Sequence, residues 1–232
     1  LTMKTICRIL TILILTTTLI QAQGTAGTAA KYEYRYLIDM PTAGVLERGF
    51  SSVSLDVLPY GTLITKIEVG VFDNFSFGIS YGGANIIGSG KIDWYKWPGI
   101  NVRYRVLDES PTVPAVAVGF DSQGKGDYYD GSSRYEIKSP GFFGAIAKNF
   151  EFLGYLSLHG VINYSLETKD EDKDLTLQVG FEKTIGSKLS FMMEYNFGLN
   201  DNGFGAIGNG DGYLNMGFRW SVYDGFTLGL DL

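Results

Sequence analysis

Residues 175–197 read LTLQVGFEKTIGSKLSFMMEYNF. Leu175, Leu177, Val179 and Phe181 alternate with Gln178 and Glu182. After the Gly186-Ser187 break, Leu189, Phe191, Met193, Tyr195 and Phe197 alternate with Glu194 and Asn196. A period of two sends successive side chains to opposite faces of an extended strand, so each run has one apolar and one polar face. Working backwards, the apolar set continues as Leu156, Leu158, Ile162, Tyr164 and Leu166, then Ile100, Val102, Tyr104 and Val106. Before these come Phe75, Phe77, Ile79 and Tyr81, then Leu63, Ile67, Val69 and Val71, and first Val53, Leu55 and Val57. Forwards it continues as Leu214, Met216, Phe218, Trp220 and Val222, then Phe226, Leu228 and Leu230. None of these residues is charged. The opposite faces carry Ser54, Asp56, Lys66, Glu68, Asn101, Arg103, Arg105, Ser157, His159, Asn163, Glu167, Gln178, Glu182, Glu194, Asn196, Asn215, Arg219, Thr227 and Asp231.

The strands of a soluble sandwich need only about five or six residues each. These runs are mostly 8 to 12 residues long, close to the roughly 9 to 11 that a tilted membrane strand needs. A charge on a lipid-facing position near the bilayer midplane costs about 2–4 kcal/mol, which accounts for the clean apolar set. The pattern predicts an all-β fold, an antiparallel up-and-down transmembrane β-barrel of about twelve strands over residues 49–232. About eleven strands are legible, whereas bacterial single-chain barrels have an even number. The twelfth is expected beyond this sequence or only weakly within it, with the alternating Tyr32, Tyr34, Tyr36 and Ile38 as the internal candidate.

Connection lengths follow the same logic. Short ones fall at Asp73-Asn74, Leu107 to Thr112, Lys148 to Leu153, Thr184 to Lys188 and Tyr223 to Gly225. Longer ones fall at Gly83 to Pro98, Ser122 to Ser133, Thr168 to Lys173 and Asn200 to Gly210. Short periplasmic turns and long external loops are the rule for an outer-membrane barrel. Phe75, Trp220, Tyr223 and Phe226 sit beside short turns, where an interfacial aromatic girdle would lie. Composition agrees: 31 Gly, 15 Tyr and 15 Phe accompany a mean hydropathy of +0.05. A net charge of -6 leaves no clustered basic surface for nucleic acid.

Residues 1–23 read as an export signal, with Lys4 and Arg8 ahead of the uncharged stretch from Ile9 to Ile20, too short to span a bilayer as a helix. Residues 24–48 form an N-terminal segment, lumenal or periplasmic. The one cysteine, Cys7, lies inside the signal, so the mature chain would hold no disulfide or thiolate site.

The stretches Asp39-Met-Pro-Thr-Ala-Gly-Val-Leu-Glu-Arg-Gly and Ala115 to Phe150 (AVAVGFDSQGKGDYYDGSSRYEIKSPGFFGAIAKNF) resemble those of outer-membrane barrels and are similar to YjbH-type barrel proteins of exopolysaccharide loci. The likeness covers about half of the mature chain. It implies a role in exporting or organising surface polysaccharide and supplies no catalytic residue.

The chemistry of the polar face points to a barrel interior rather than a reaction centre. His159, the single histidine, has Ser157 two residues before it. An imidazole-activated serine also needs an orienting group and an oxyanion site, which the spacing lacks. One histidine without cysteine argues against a transition-metal centre, and no cofactor is expected. Asn200 to Gly212 resembles a calcium loop in composition but lacks the glutamate at its twelfth position, so a flexible external loop is the simpler reading. The acidic run Glu167 to Asp174 reads as a solvated loop. Lys66, Arg103, Arg105, His159, Glu182, Glu194 and Arg219 are the candidate lumen residues. Four inward cations meet six inward carboxylates. Paired across the lumen they would make a plugged, structural barrel, whereas Arg103 and Arg105 gathered on one wall would line a narrow channel for polar solutes. The expected partners are outer-membrane lipid and lipopolysaccharide, with polysaccharide or small polar solutes inside. A soluble extracytoplasmic ligand-binding β-protein and an outer-membrane lipid hydrolase are the competing readings.

Overall fold

The computed structural model describes residues 33–203, 207, 210–223 and 225–232. The predicted export signal and residues 24–32 lie outside the described residues. The fold is all-β: β1 (Ser51–Leu58), β2 (Thr62–Phe72), β3 (Phe75–Ala84), β4 (Asp93–Trp94), β5 (Gly99–Leu107), β6 (Ala115–Asp121), β7 (Lys125–Tyr129), β8 (Arg134–Ile137), β9 (Gly141–Glu151), β10 (Tyr155–Tyr164), β11 (Thr176–Thr184), β12 (Leu189–Asn196), β13 (Tyr213–Tyr223) and β14 (Phe226–Asp231). One antiparallel sheet holds twelve of these among the described residues, in the order β1-β2-β3-β5-β6-β9-β10-β11-β12-β13-β14, with β4 paired to the end of β3. The other two, β7 and β8, form a separate hairpin.

The register puts the two faces where the alternation predicts. On β11 and β12, Phe181 lies opposite Met193 and Glu182 opposite Met192, so like faces meet across the ladder. The apolar face is the exposed one, with Val53 72% exposed, Ile67 51% and Trp220 51%. The polar face is buried, including Lys66, Glu68, Asn101, Arg103, His159, Glu182 and Glu194.

The sheet curls. Flat, eleven successive strands about 4.8 Å apart would hold the first and last about 48 Å from each other. Instead two consecutive residues reach both: the Tyr34 hydroxyl donates to Thr227 of β14 at 2.9 Å, and Arg35 donates to Ser52 of β1 at 2.6 Å. Asp56 of β1 and Asp231 of β14 are close enough to repel one another.

The curl stops short of closure, which corrects the expected closed barrel. No ladder joins β1 to β14. Counting along the antiparallel order, these two edges run in the same direction, so they lack the antiparallel match that every other neighbouring pair in the sheet has. The twelfth strand is the two-residue β4, not a closing strand. Residues 33–38 form no strand of the sheet either. The long connections, 85–98, 122–140, 165–175 and 197–212, gather at one end and the turns at 73–74, 108–114, 152–154 and 185–188 at the other. The tight β1–β2 turn, residues 59–61, breaks the alternation by lying at the long-loop end.

Candidate functional site

The concave interior is filled by residues 33–48, folded as a hairpin that runs up from the short-turn end and back. A bridge joins Tyr36 to Pro41, the Leu37 N–H donates to the Met40 carbonyl at 2.9 Å, and the Thr42 N–H donates to the Arg35 carbonyl at 2.9 Å. Pro41 disfavours helical backbone at the preceding Met40, which suits a return leg. Gly44 passes so close to its partner leg that a Cβ there would lie 2.2 Å from the Tyr34 carbonyl oxygen, so only glycine fits. The apolar side chains Leu37, Met40 and Ala43 pack on Ala115, Ala117, Phe143, Ala145, Ala147, Val161 and Met192. Small residues on β6 and β9 therefore make room for the hairpin.

The inward charges pair mainly with this hairpin rather than across the interior. Arg103 is fully buried and donates from Nη1 to the carbonyls of Arg35, Thr42 and Gly44 at 2.6, 2.9 and 3.4 Å. Arg105, half-buried, donates to the Ala43 carbonyl at 3.0 Å and forms an ion pair with Glu33. Arg219 donates to the carbonyls of Tyr36 and Leu37 and lies 3.8 Å from the Tyr34 ring centroid. Glu194 accepts the N–H groups of Ile38, Asp39 and Met40 at 2.9, 2.8 and 3.1 Å, together with the Asn215 amide. Glu68 pairs with Arg35 at 2.9 Å. Strand cations thus hold the hairpin's carbonyls and a strand carboxylate holds its amides, so Arg103, Arg105, Arg219 and Glu194 are each compensated by hydrogen bonds to the hairpin.

Two of the sequence-predicted interior residues lie apart from this docking. Both ring nitrogens of His159 are buried without a hydrogen-bond partner among the described residues. Ser157 donates to Asn149 and not to the imidazole. Glu182 is buried beside Ser190. Base and nucleophile are not joined in the way that activation of a serine requires.

At the long-loop end the acidic run is solvated only in part, with Lys169, Glu171, Lys173 and Asp174 exposed and Glu167 and Asp170 tied down. Asp170 pairs with Arg134 at 2.7 Å and with Lys138 at 2.7 Å, and Arg134 reaches Asp201 at 2.7 Å. Glu167 accepts the N–H groups of Tyr135 and Ser139 at 2.8 and 2.9 Å, and Tyr213 donates to Asp201 at 2.6 Å. Asn200 and Asp201 are buried, whereas Asn202, Gly203, Ile207, Gly210 and Asp211 of the expected external loop are exposed and residues 204–206 and 208–209 lie outside the described residues. These bonds tie the connections 122–140 and 165–175 and Asp201 into a cap. Tyr135 stacks edge-on against Tyr95 and Tyr128, each at 5.0 Å between ring centroids, and burial pushes its hydroxyl up to about 12. Burial raises the Glu167 carboxyl. The bonds from Lys138 and Arg134 outweigh desolvation at Asp170 and lower its carboxyl.

Sequence reasoning missed Glu33, Arg35, Tyr36 and Asp39 as counterparts of the inward charges, and Arg134, Lys138 and Asp201 as cap residues. The available signal was the run Tyr-Glu-Tyr-Arg-Tyr at 32–36, where two charges alternate with three tyrosines. No protein-family model, curated protein or solved structure matches the chain.

Proposed function

We propose that this chain is an exported outer-membrane protein whose curled sheet, barrel-like but unpaired between β1 and β14, is filled by its own N-terminal hairpin, a structural element rather than an open pore. The observation that carries the reading is the inverted distribution of polarity: long strands present apolar side chains outward while the buried face holds Lys66, Glu68, Arg103, Glu182 and Glu194. A soluble protein places its large apolar residues inside. Hydrocarbon as the outer solvent turns that rule around. Lys148 and Lys183, the charges on the outward face of β9 and β11, both stand at the short-turn end, near a membrane interface in this reading.

Closure is supported by the interior hairpin and the tied loops, which leave the inward arginines engaged with backbone rather than facing a path. The association with surface polysaccharide is part of the proposal and is supported by the resemblance of residues 39–49 and 115–150. Membrane residence is tested by fractionation and gel migration. The protein should appear in the outer-membrane fraction and migrate differently before and after heating, and a mature protein that stays monodisperse in detergent-free buffer refutes the assignment. Closure is tested in planar bilayers, where the intact chain should show no steady conductance and a chain lacking residues 33–48 should conduct.

A further inference from the structure

Between the tip of the hairpin and the loop cap lies a polar chamber of about 40 Å³, lined in part by Tyr36, Asp39, Lys66, Asp121, Asn196 and Asn200. One water needs roughly 10–15 Å³ of such space, so the chamber holds about three waters or one small ion. Its carboxylates are already engaged. Asp39 pairs with Lys125, and Asp121 accepts the Tyr36 hydroxyl and the Gln123 N–H. Asp201 pairs with Arg134. Lys138, the further cation on this wall, pairs with Asp170.

Lys66 is the exception. It is 9% exposed, and its ammonium stands 4.2 Å from the centroid of the Tyr36 ring, with no carboxylate at ion-pair distance among the described residues. The nearest carboxylate on its own strand, Glu68, is held by Arg35 and also feels Arg103. Arg35, Arg103 and Lys66 thus all act on Glu68. A buried ammonium without a salt-bridge partner is costly, and an aromatic face compensates only part of the lost hydration. Hydrogen-bond donors are at hand: Asn196 accepts at Oδ1 from Thr176 and Gly198 and keeps its amide donors, and buried Asn200 lines the same wall.

We propose that this chamber binds one small oxyanion, of acetate or inorganic phosphate size, with Lys66 supplying the charge and Asn196 and Asn200 the donors. The site is internal to the sheet and does not rest on the membrane reading. Isothermal titration of the full chain with sodium acetate and with sodium phosphate, at fixed ionic strength, tests it. Saturable binding of at least one of them is expected, weakened tenfold or more in Lys66→Met, largely retained in Lys66→Arg and reduced in Asn200→Ala. Glucuronate, whose ring exceeds the chamber, serves as the larger probe and should not compete. Absence of saturable binding by the unaltered chain overturns the proposal whether or not the variants fold. Undiminished binding by a folded Lys66→Met variant overturns it too, as does glucuronate binding as tightly as acetate.

Discussion

Val179 stands on the exposed face of β11, midway along it. Arginine there would be nearly neutral in water, but in hydrocarbon it costs about 2–4 kcal/mol. Equilibrium unfolding from lipid vesicles should therefore show Val179→Arg destabilised by that amount, while a change under about 0.5 kcal/mol, usual for a surface site in water, would remove the hydrocarbon. Arg103 is the matching residue on the inner face. Replacing it with Met strips a charged donor from three carbonyls of the hairpin, and leaving a buried acceptor unpaired costs about 1–3 kcal/mol. Residues 33–48 should then exchange their amide hydrogens faster and become cleavable by protease, with β9 and β10 unchanged.

At the scale of elements, β2, β3, β5, β10, β11, β12 and β13 are legible because one face is apolar and the other polar. β6 and β9 are blurred. Their inner residues Ala115, Ala117, Ala145 and Ala147 are apolar as well, since they face Leu37, Met40 and Ala43, and a contact partner so distant in sequence leaves no local period. Tyr34, Tyr36 and Ile38 imitate a strand for a related reason. Their alternation serves an interior hairpin whose hydrogen-bond partners lie up to 193 residues away. The cap escapes notice because charge runs usually are solvated, and only folding brings Arg134 and Lys138 against Asp170. This clamp has a definite pH dependence. The Asp170 carboxyl lies below its ordinary value, so its stabilising contribution is complete above the unfolded range near 3.8 and is lost as pH falls through the lowered folded value. Glu167, raised by burial, acts in the opposite sense, its contribution being lost as pH rises through the raised value. Asp170→Asn separates the two. At neutral pH it should open residues 134–139 and 167–172 to hydrogen exchange, and it should abolish their further opening on acidification that the parent chain shows.

For the whole molecule, stability should be uneven around the circumference. β9 and β10 share ten paired residues and each has a second neighbour, whereas β1 and β14 are each paired on one side only. Native-state hydrogen exchange should rank β1 and β14 fastest and β9 to β11 slowest; equal protection at both edges and centre would mean that the edges are bridged in solution. The contacts of Tyr34 with Thr227 and of Arg35 with Ser52 add a constraint of another kind. Because one short segment touches strands formed early and late in the chain, it acts as a mandrel on which the ribbon is wound, and a cylinder wrapped without it would leave Arg103, Arg219 and Glu194 facing nothing. The expected order of assembly follows: residues 33–48 should be in place before the last strands of the sheet wrap past them, and a chain in which they arrive late should be left with its centre hollow.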